Sequence, residues 1–346
     1  MNDFRFITSD EDFHESRRFS VGASEIPILL GLSSYTTPYD LWEVKTGRVE
    51  AWTGNDATQL GHELEGIILS REVEQLSNPD EAQKFKIDYY TYQNSRQSNW
   101  NPSTNYYPFV RFIHPEFEWA IAHPDMLCLD EMILTEAKSG RRFANIRRSG
   151  FDGYDFNDST ENGIPIRVYV QTQWQMLCSG IDQTVVRALV DTNTEGRWIV
   201  KSNKKIQSKL LEVASKFKWH MTNDKPPQPT NYGDVKKLMP NVDNLVSYVS
   251  GEKALEAVAM KDRKKHLGAK KKVIESEIDD INSALGMLCG SNKYLQLTDG
   301  TKIATQVLSS VESIEKLSEI KKQHPDIYKL LKEKELIKSN DRRYMK

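Results

Sequence analysis

The stretch whose reading decides the fold is HPDMLCLDEMILTEAKSG, running from His123 to Gly140. Two short apolar runs, one through Met126-Leu127-Cys128 and one through Ile133-Leu134-Thr135, are split by the acidic turn around Asp130-Glu131. Runs of this kind on either side of a tight turn predict an antiparallel hairpin. In that hairpin Asp125 falls opposite the Glu136 end of the partner strand. Strand alternation puts Glu136 and Lys138 on one face, with Ala137 pointing away. Two carboxylates and an ammonium then converge on one patch. Hard divalent cations are held by clustered carboxylate oxygens, Mg²⁺ usually by one or two of them plus substrate phosphate. A lysine beside such a pair can orient the attacking water and stabilise charge building on phosphorus. The pattern therefore predicts a metal-dependent phosphodiesterase. It is short, and a charged hairpin tip with a surface ion pair would also produce it.

Outward from this stretch, the period of the sequence changes. Downstream of residue 83, KFKIDYYTYQ (84–93), YPFVRFI (107–113) and EWAIAHPDMLCLD (118–130) are rich in aromatic and β-branched residues. They predict consecutive strands that lead into the hairpin. Upstream the reading is helical. GASEIPILLGL (22–32) predicts a short helix capped by Ser24 and stopped by Gly31. TPYDLWEVKTG (37–47) repeats the design, with Thr37 before Pro38 at the start and Gly47 at the end. NDATQLGHELEGIILSREVEQL (55–76) spaces Leu60, Leu64, Ile67, Ile68 and Val73 as one long amphipathic helix. Beyond a Gly/Asp-rich loop, IPIRVYVQTQWQMLCSG (164–180) predicts a helix, QTVVRALVDT and RWIVKS two strands, and residues 204–221 another helix. The order is mixed α/β.

The Pro-rich segment NDKPPQPTNYGD (223–234) predicts the boundary between a domain at 1–222 and an extension at 235–346. Within the extension Leu267, Ile274, Ile278, Ile281, Leu285 and Leu288 step by seven, four and three, which predicts a helical hairpin or a short coiled coil. KYLQLTDGTKIATQ (293–306) predicts a β-hairpin turning on Asp299-Gly300.

Bulk properties narrow the function classes. Hydrophobic residues make up 38% and charged residues 28% of the 346, the balance of a chain with a packed core. No apolar run reaches the roughly 18 residues that a membrane span needs. The N-terminus lacks a basic-then-apolar signal pattern. Three widely spaced cysteines argue against a zinc or iron–sulfur site and fit a reducing cytoplasm. A formal charge of −2 excludes a uniformly basic protein, yet leaves room for local cationic patches that meet nucleic acid.

Two further segments bear on the carboxylate patch. In LGHELEG, Glu63 and Glu65 cannot share a helical face, so at most one of them would point into the site. In YVQTQWQM, Gln171 lies one helical turn from Gln175, and its amide could hold the attacking water or a phosphate oxygen.

Together and in order, RRFSVGASEIPILLGLSSYTTPYDLWEVKTGR, GHELEGI, HPDML, TEAK and YVQTQWQM resemble the YqaJ-like viral recombinase family, which includes phage lambda exonuclease, within the PD-(D/E)XK nuclease superfamily. The resemblance covers roughly residues 15 to 200. It implies a restriction-endonuclease-like α/β core, a central mixed sheet flanked by helices, here followed by a helical C-terminal extension. It implies Asp125 and Glu136 as metal-binding carboxylates, Lys138 as the catalytic lysine, Glu65 as the helix glutamate and Gln171 as a catalytic glutamine. The backbone carbonyl of Ala137 would be a further metal ligand. Ser24 with Arg17 (or its neighbour Arg18) would grip a 5′-phosphate, a role that suits a hydroxyl, helix-terminal amides and a guanidinium. Arg141, Arg142, Arg147 and Arg148 in KSGRRFANIRRSG would contact the DNA backbone. The chain departs from the family in having His123 where serine is frequent and Ala137 in the middle of the E-x-K triplet. The segment from Asp88 to Tyr107 also looks longer than a minimal strand meander needs. Its aromatic residues could stack on bases, or could decorate a hairpin.

The resemblance thus implies a cytoplasmic Mg²⁺-dependent deoxyribonuclease, with Mn²⁺ able to substitute, encoded by a phage or prophage in a bacterial host. It would be a 5′-to-3′ double-strand exonuclease acting on duplex DNA ends beside a single-strand annealing protein, with a homo-oligomeric ring as the family's common assembly. A metal-dependent restriction or repair endonuclease and a non-catalytic DNA-binding protein on the same fold are the competing expectations.

Overall fold

The computed structural model describes residues 1–7, 10–51, 54–95, 105–140, 164–190, 194–241, 246–298, 300 and 302–305. It divides into two compact units, Met1–Asp243 and Asn244–Lys346. The first unit opens with β1 (Phe4–Phe6), α1 (Asp10–Arg18), a 3-10 turn (Ala23–Glu25), α2 (Ile26–Leu29), α3 (Pro38–Lys45), α4 (Asp56–Leu76) and α5 (Pro79–Ser95). There follow β2 (Tyr106–Tyr107), β3 (Val110–Ile113), β4 (Ile121–Ala122), β5 (Met126–Cys128) and β6 (Ile133–Gly140). The unit closes with α6 (Ile166–Ser179), β7 (Gln183–Val190), β8 (Thr194–Lys201), α7 (Lys204–Thr222) and α8 (Tyr232–Leu238).

A five-stranded sheet in the order β2-β5-β6-β7-β8 forms the centre. β5 and β6 pair antiparallel, as the hairpin reading requires, while β6 and β7 run parallel with α6 as the crossover between them. The β7–β8 pair is again antiparallel, so the sheet is mixed. A smaller antiparallel sheet, β1-β3-β4, carries the N-terminal segment.

Helices cover both faces of the central sheet, and residue parity along β5 and β6 shows how. Leu127 and Leu134 pair with each other and pack into the cluster built with Val168, Trp174 and Val170 of α6. Met126 and Ala137 point the other way, into a cluster with Leu69 and Val73 of α4 and Phe85, Tyr89 and Tyr92 of α5. The mixed α/β expectation, sheet between helices, holds.

Local chemistry sets the element ends. Thr37 accepts from the Asp40 amide while Asp40 accepts from the Thr37 amide, and Pro38 begins α3. Gly47, at φ 73°, follows it in the left-handed region. α6 stops in the same way at Gly180, φ 69°.

Three local expectations differ. KFKIDYYTYQ is helix, not strand. Phe85, Tyr89 and Tyr92 recur at steps of four and three and bury one stripe against α4, so helical packing outweighs the aromatic strand preference. Ser24 is not the cap of its helix. Gly22 takes that position in extended conformation, and the Glu25 carboxylate accepts the Gly22 amide at 2.9 Å. In the extension, Glu252–Cys289 is one continuous helix, α9, rather than a helical hairpin, since nothing in it is a strong helix breaker. The seam residues Leu267, Ile274, Ile278, Ile281 and Leu288 are exposed on it. β9 (Tyr294–Gln296) and β10 (Lys302–Thr305) pair antiparallel around Gly300, φ 87°, as the hairpin reading anticipates.

The division between the units falls after Asp243, C-terminal to the Pro-rich segment. α8 lies before it, and Asp234 there accepts from the Thr37 hydroxyl at 3.0 Å, which ties the Pro-rich segment's end to α3.

Candidate functional site

The hairpin pairs Met126 with Thr135 and Leu127 with Leu134. One step further along this register, Asp125 meets Glu136 on the α6 face of the sheet. The Asp125 carboxylate also accepts the backbone amide of Ala137, Oδ2 to N 2.7 Å, which fixes it beside the partner strand. The β5–β6 register and this hydrogen bond together bring Asp125 and Glu136 side by side, as the hairpin reading expects.

Glu136 is buried, 1% exposed, and every oxygen has a donor. Lys138, two residues on and on the same strand face, hydrogen-bonds Oε1. Gln171 Nε2 donates to the same oxygen at 2.5 Å, and Gln175 Nε2 donates to Oε2 at 2.5 Å. These two glutamines project from one face of α6, a single turn apart. Gln171 thus holds the carboxylate itself. Gln175, fully buried, is a site residue that the sequence reading mentioned only as Gln171's neighbour. Gln173, the middle residue, points elsewhere: it donates to the Lys201 carbonyl and accepts from the Asn203 amide.

Asp125 is held differently. Burial raises its carboxyl well above the usual carboxylate range, the charges of Glu136 and Glu65 raise it further, and Lys138 partly offsets them. Carboxylates crowded this way are stabilised by added positive charge, and their oxygens are the donors a hard cation selects. The residues present therefore fit a divalent metal. Among the described residues, no group of three or more His, Cys, Asp and Glu side chains is gathered into a metal-binding cluster. Asp125 and Glu136 form the pair, and Glu65 stands near them.

Glu65 comes from the opposite layer, on α4, and reaches the strand end where Asp125 sits. Tyr89 donates to its Oε1 at 2.9 Å, and His62 Nδ1 lies 3.7 Å from Oε2. Glu63 is exposed and accepts from Gln59. Of the two helix glutamates, Glu65 is the one directed inward.

Arg17, rather than Arg18, meets Ser24. Its Nη2 lies 3.0 Å from the exposed Ser24 hydroxyl and 3.3 Å from Glu25 Oε1, with the guanidinium over the Phe13 ring. Arg18 instead covers Phe19. Beneath Arg17 is a residue the sequence reading did not single out: Lys45 is 5% exposed and binds Glu25 Oε1 at 2.7 Å and the carbonyls of Arg17 and Ser20 at 2.5 and 2.8 Å. The only sequence signal was a lysine at the end of an apolar helix, where a C-terminal charge is ordinary. Phe13 also packs against His123, at 5.0 Å between ring centroids. Burial, and then the charges of Arg17 and Arg111, hold the His123 imidazole neutral, its pKa lowered to about 3. The cationic group around Arg17 therefore lies at the Asp125 end of the hairpin.

The aromatic residues proposed for base stacking divide. Tyr89, Tyr92 and Tyr106 are core residues and have no free face to offer. Arg141, Arg142, Arg147 and Arg148 lie outside the described residues, as does the stretch 96–104.

The structure is thus a mixed α/β fold whose central sheet sets two carboxylates and a lysine together on one face. Residues 12–182 match the YqaJ-like viral recombinase domain. Uncharacterized protein YqaJ of Bacillus subtilis (strain 168) is 25% identical over 166 residues, 48% of this chain and 41% of that protein. The chain thus matches about two-fifths of the relative's length. Among solved structures, the alkaline exonuclease LHK-Exo of Laribacter hongkongensis is 14% identical, with a TM-score of 0.42, covering 62% of this chain and 93% of that one. A phage-related exonuclease of Haemophilus somnus 129PT is 12% identical, TM-score 0.35, over 59% and 96%.

Proposed function

We propose that the chain is a divalent-metal-dependent deoxyribonuclease that degrades duplex DNA from its ends in the 5′-to-3′ direction, serving recombination by strand annealing. The observation that carries this reading is the Asp125–Glu136 pair, set side by side by the β5–β6 register with Lys138 on the same face. The match of residues 12–182 to a viral recombinase domain supports the recombination setting.

Asp125 and Glu136 would hold the cation, Mg²⁺ or Mn²⁺, with Glu65 and the Ala137 carbonyl completing its protein ligands. The metal, when bound, polarises the scissile phosphate and lowers the pKa of water. Lys138 supplies the positive charge that meets the nucleophile and the phosphorane, and its contact with Glu136 keeps it on that face. Gln171 and Gln175 hold the Glu136 carboxylate in one orientation, so that little reorganisation is left for the reacting complex. Arg17 and Ser24 would receive a terminal 5′-phosphate; Glu25 and Lys45 hold Arg17 in place. DNA-backbone contacts by Arg141, Arg142, Arg147 and Arg148, a single-strand annealing partner, a ring of copies and a cytoplasmic location belong to the same proposal. No helix among the described residues is long and apolar enough to cross a membrane.

Digestion of duplexes carrying a 5′-phosphate, a 5′-hydroxyl or covalently closed ends, with and without Mg²⁺, tests the reading. Metal-dependent shortening of the 5′-phosphorylated linear duplex, with the closed duplex spared, is expected. Cleavage of closed circles would establish an endonuclease, and binding without cleavage a non-catalytic DNA-binding protein.

A further inference from the structure

We propose that Tyr89 is a positioning residue for Glu65, and that Gly66 is the notch in α4 that lets it take that role. The proposal rests on the reading of Asp125, Glu136 and Glu65 as cation-binding carboxylates, and deepens it by assigning what orients the third.

The geometry has three parts. First, the Tyr89 hydroxyl donates to Glu65 Oε1 at 2.9 Å from a ring that is 1% exposed. A buried ring cannot swing away, so the hydrogen bond removes much of the rotamer freedom that an unpartnered glutamate on a helix surface would keep. Second, the ring is fixed from behind. It stacks on Phe109, between β2 and β3, at 5.1 Å and meets Phe85 of α5 at 6.0 Å. Third, α5 comes close enough only because residue 66 lacks a side chain. A Cβ built there would lie 2.5 Å from Tyr89 Cδ1 and 2.8 Å from Tyr90 Cζ. Neither ring is a flexible tip that could yield cheaply. Glycine in the interior of a helix costs about 1 kcal/mol against alanine, so its presence here answers to the approach of Tyr89 and Tyr90.

Tyr90 provides an internal control. Its hydroxyl donates to the Glu63 backbone carbonyl at 2.5 Å, which ties α5 to α4 but touches no carboxylate of the site. Loosening the two helices and releasing Glu65 are therefore separable.

The test is Mn²⁺ binding by the full chain, measured by titration calorimetry without DNA. Tyr89→Phe keeps the ring and its packing and removes the donor. A loss of metal affinity of roughly 10- to 100-fold is expected, the range typical when a ligand's hydrogen-bond partner is removed. Gly66→Ala reaches the same contact by another route and should weaken Mn²⁺ in the same direction, so the test stands if either variant alone fails to fold. Tyr90→Phe should lower the melting temperature and leave Mn²⁺ affinity unchanged. In a Glu65→Gln background, Tyr89→Phe should cost nothing more. Wild-type affinity in Tyr89→Phe, an equal loss in Tyr90→Phe, or a full further loss in the Glu65→Gln background would each overturn the proposal. Asp125→Asn separates the two levels. If it binds Mn²⁺ as the wild type does, the cation-site reading itself fails; if it loses binding while Tyr89→Phe does not, only the role of Tyr89 fails.

Discussion

Asp125 accepts the amide of Ala137 at 2.7 Å, and this one bond places a carboxylate from the start of one strand against the middle of its neighbour. Without it Asp125, which precedes β5, would be free to turn outward. With it, the carboxylate is kept beside Glu136 although burial and like charge disfavour its ionised form.

That conflict predicts opposite effects on stability and activity. Asp125→Asn keeps an acceptor for the Ala137 amide and removes one of two crowded charges. The metal-free protein should therefore melt higher, by about 2–4 °C for a gain on the order of 1 kcal/mol in a domain of this size. DNA cleavage should fall by on the order of 100-fold or more. Calorimetry in chelator and a cleavage assay with Mg²⁺ read the two. An unchanged or lower melting temperature would show that the charges are not in conflict.

Lys45 should be among the most sensitive positions of the first unit. It is the buried cation between Glu25 and the carbonyls of Arg17 and Ser20. Lys45→Met leaves Glu25 short of its nearest partner and strands two carbonyls, which costs about 3–5 kcal/mol. Removing the carboxylate as well, in Lys45→Met with Glu25→Gln, should recover part of the loss. Denaturant midpoints for the two singles and the double give the coupling directly. Additive losses would mean that the pair is not a unit.

Gln171 and Gln175 should separate by burial. Gln175→Leu leaves Glu136 Oε2 without its donor in a site closed to water, a cost of about 1–3 kcal/mol. Gln171→Leu should cost less, because Gln171 is half-buried and Lys138 remains on Oε1. Equal midpoints in urea for both variants would contradict this ordering.

How much of this was legible in the sequence depends on whether the signal was periodic or spatial. Strand alternation at Glu136-Ala137-Lys138 depends only on parity, so the shared face of Glu136 and Lys138 could be read directly. The choice of Glu65 over Glu63 could be narrowed to one face of a helix, and packing then decided it. KFKIDYYTYQ misled because its aromatic content suggests a strand, whereas its apolar positions, Phe85, Tyr89 and Tyr92, fall at helical steps. Lys45, Gln175 and Tyr89 gain their roles only from partners far along the chain, which no local window contains.

Glu72 makes the last prediction, since it is the fixed point of the helix that presents Glu65. It lies seven residues along α4 from Glu65, on the same face, and is fully buried. Arg197 of β8 grips it with two nitrogens, Nη2 to Oε1 at 2.8 Å and Nε to Oε2 at 2.9 Å, and Arg187 of β7 approaches to 3.8 Å. Arg187 is itself drawn to Glu195, at 3.0 Å, so it cannot fully replace Arg197. Arg197→Leu should therefore destabilise the unit by about 3 kcal/mol, largely from the under-compensated charge of Glu72. Joint replacement, Glu72→Leu with Arg197→Leu, should cost less than the single change, as apolar side chains of similar bulk substitute for a buried ion pair. Because the pair fixes α4 on β8, the single variant should also raise the Mg²⁺ concentration needed for half-maximal cleavage. Chemical denaturation of the two variants and a metal titration of each, beside the wild type, decide the matter. A double variant less stable than Arg197→Leu would show that the ion pair contributes net stability rather than alignment.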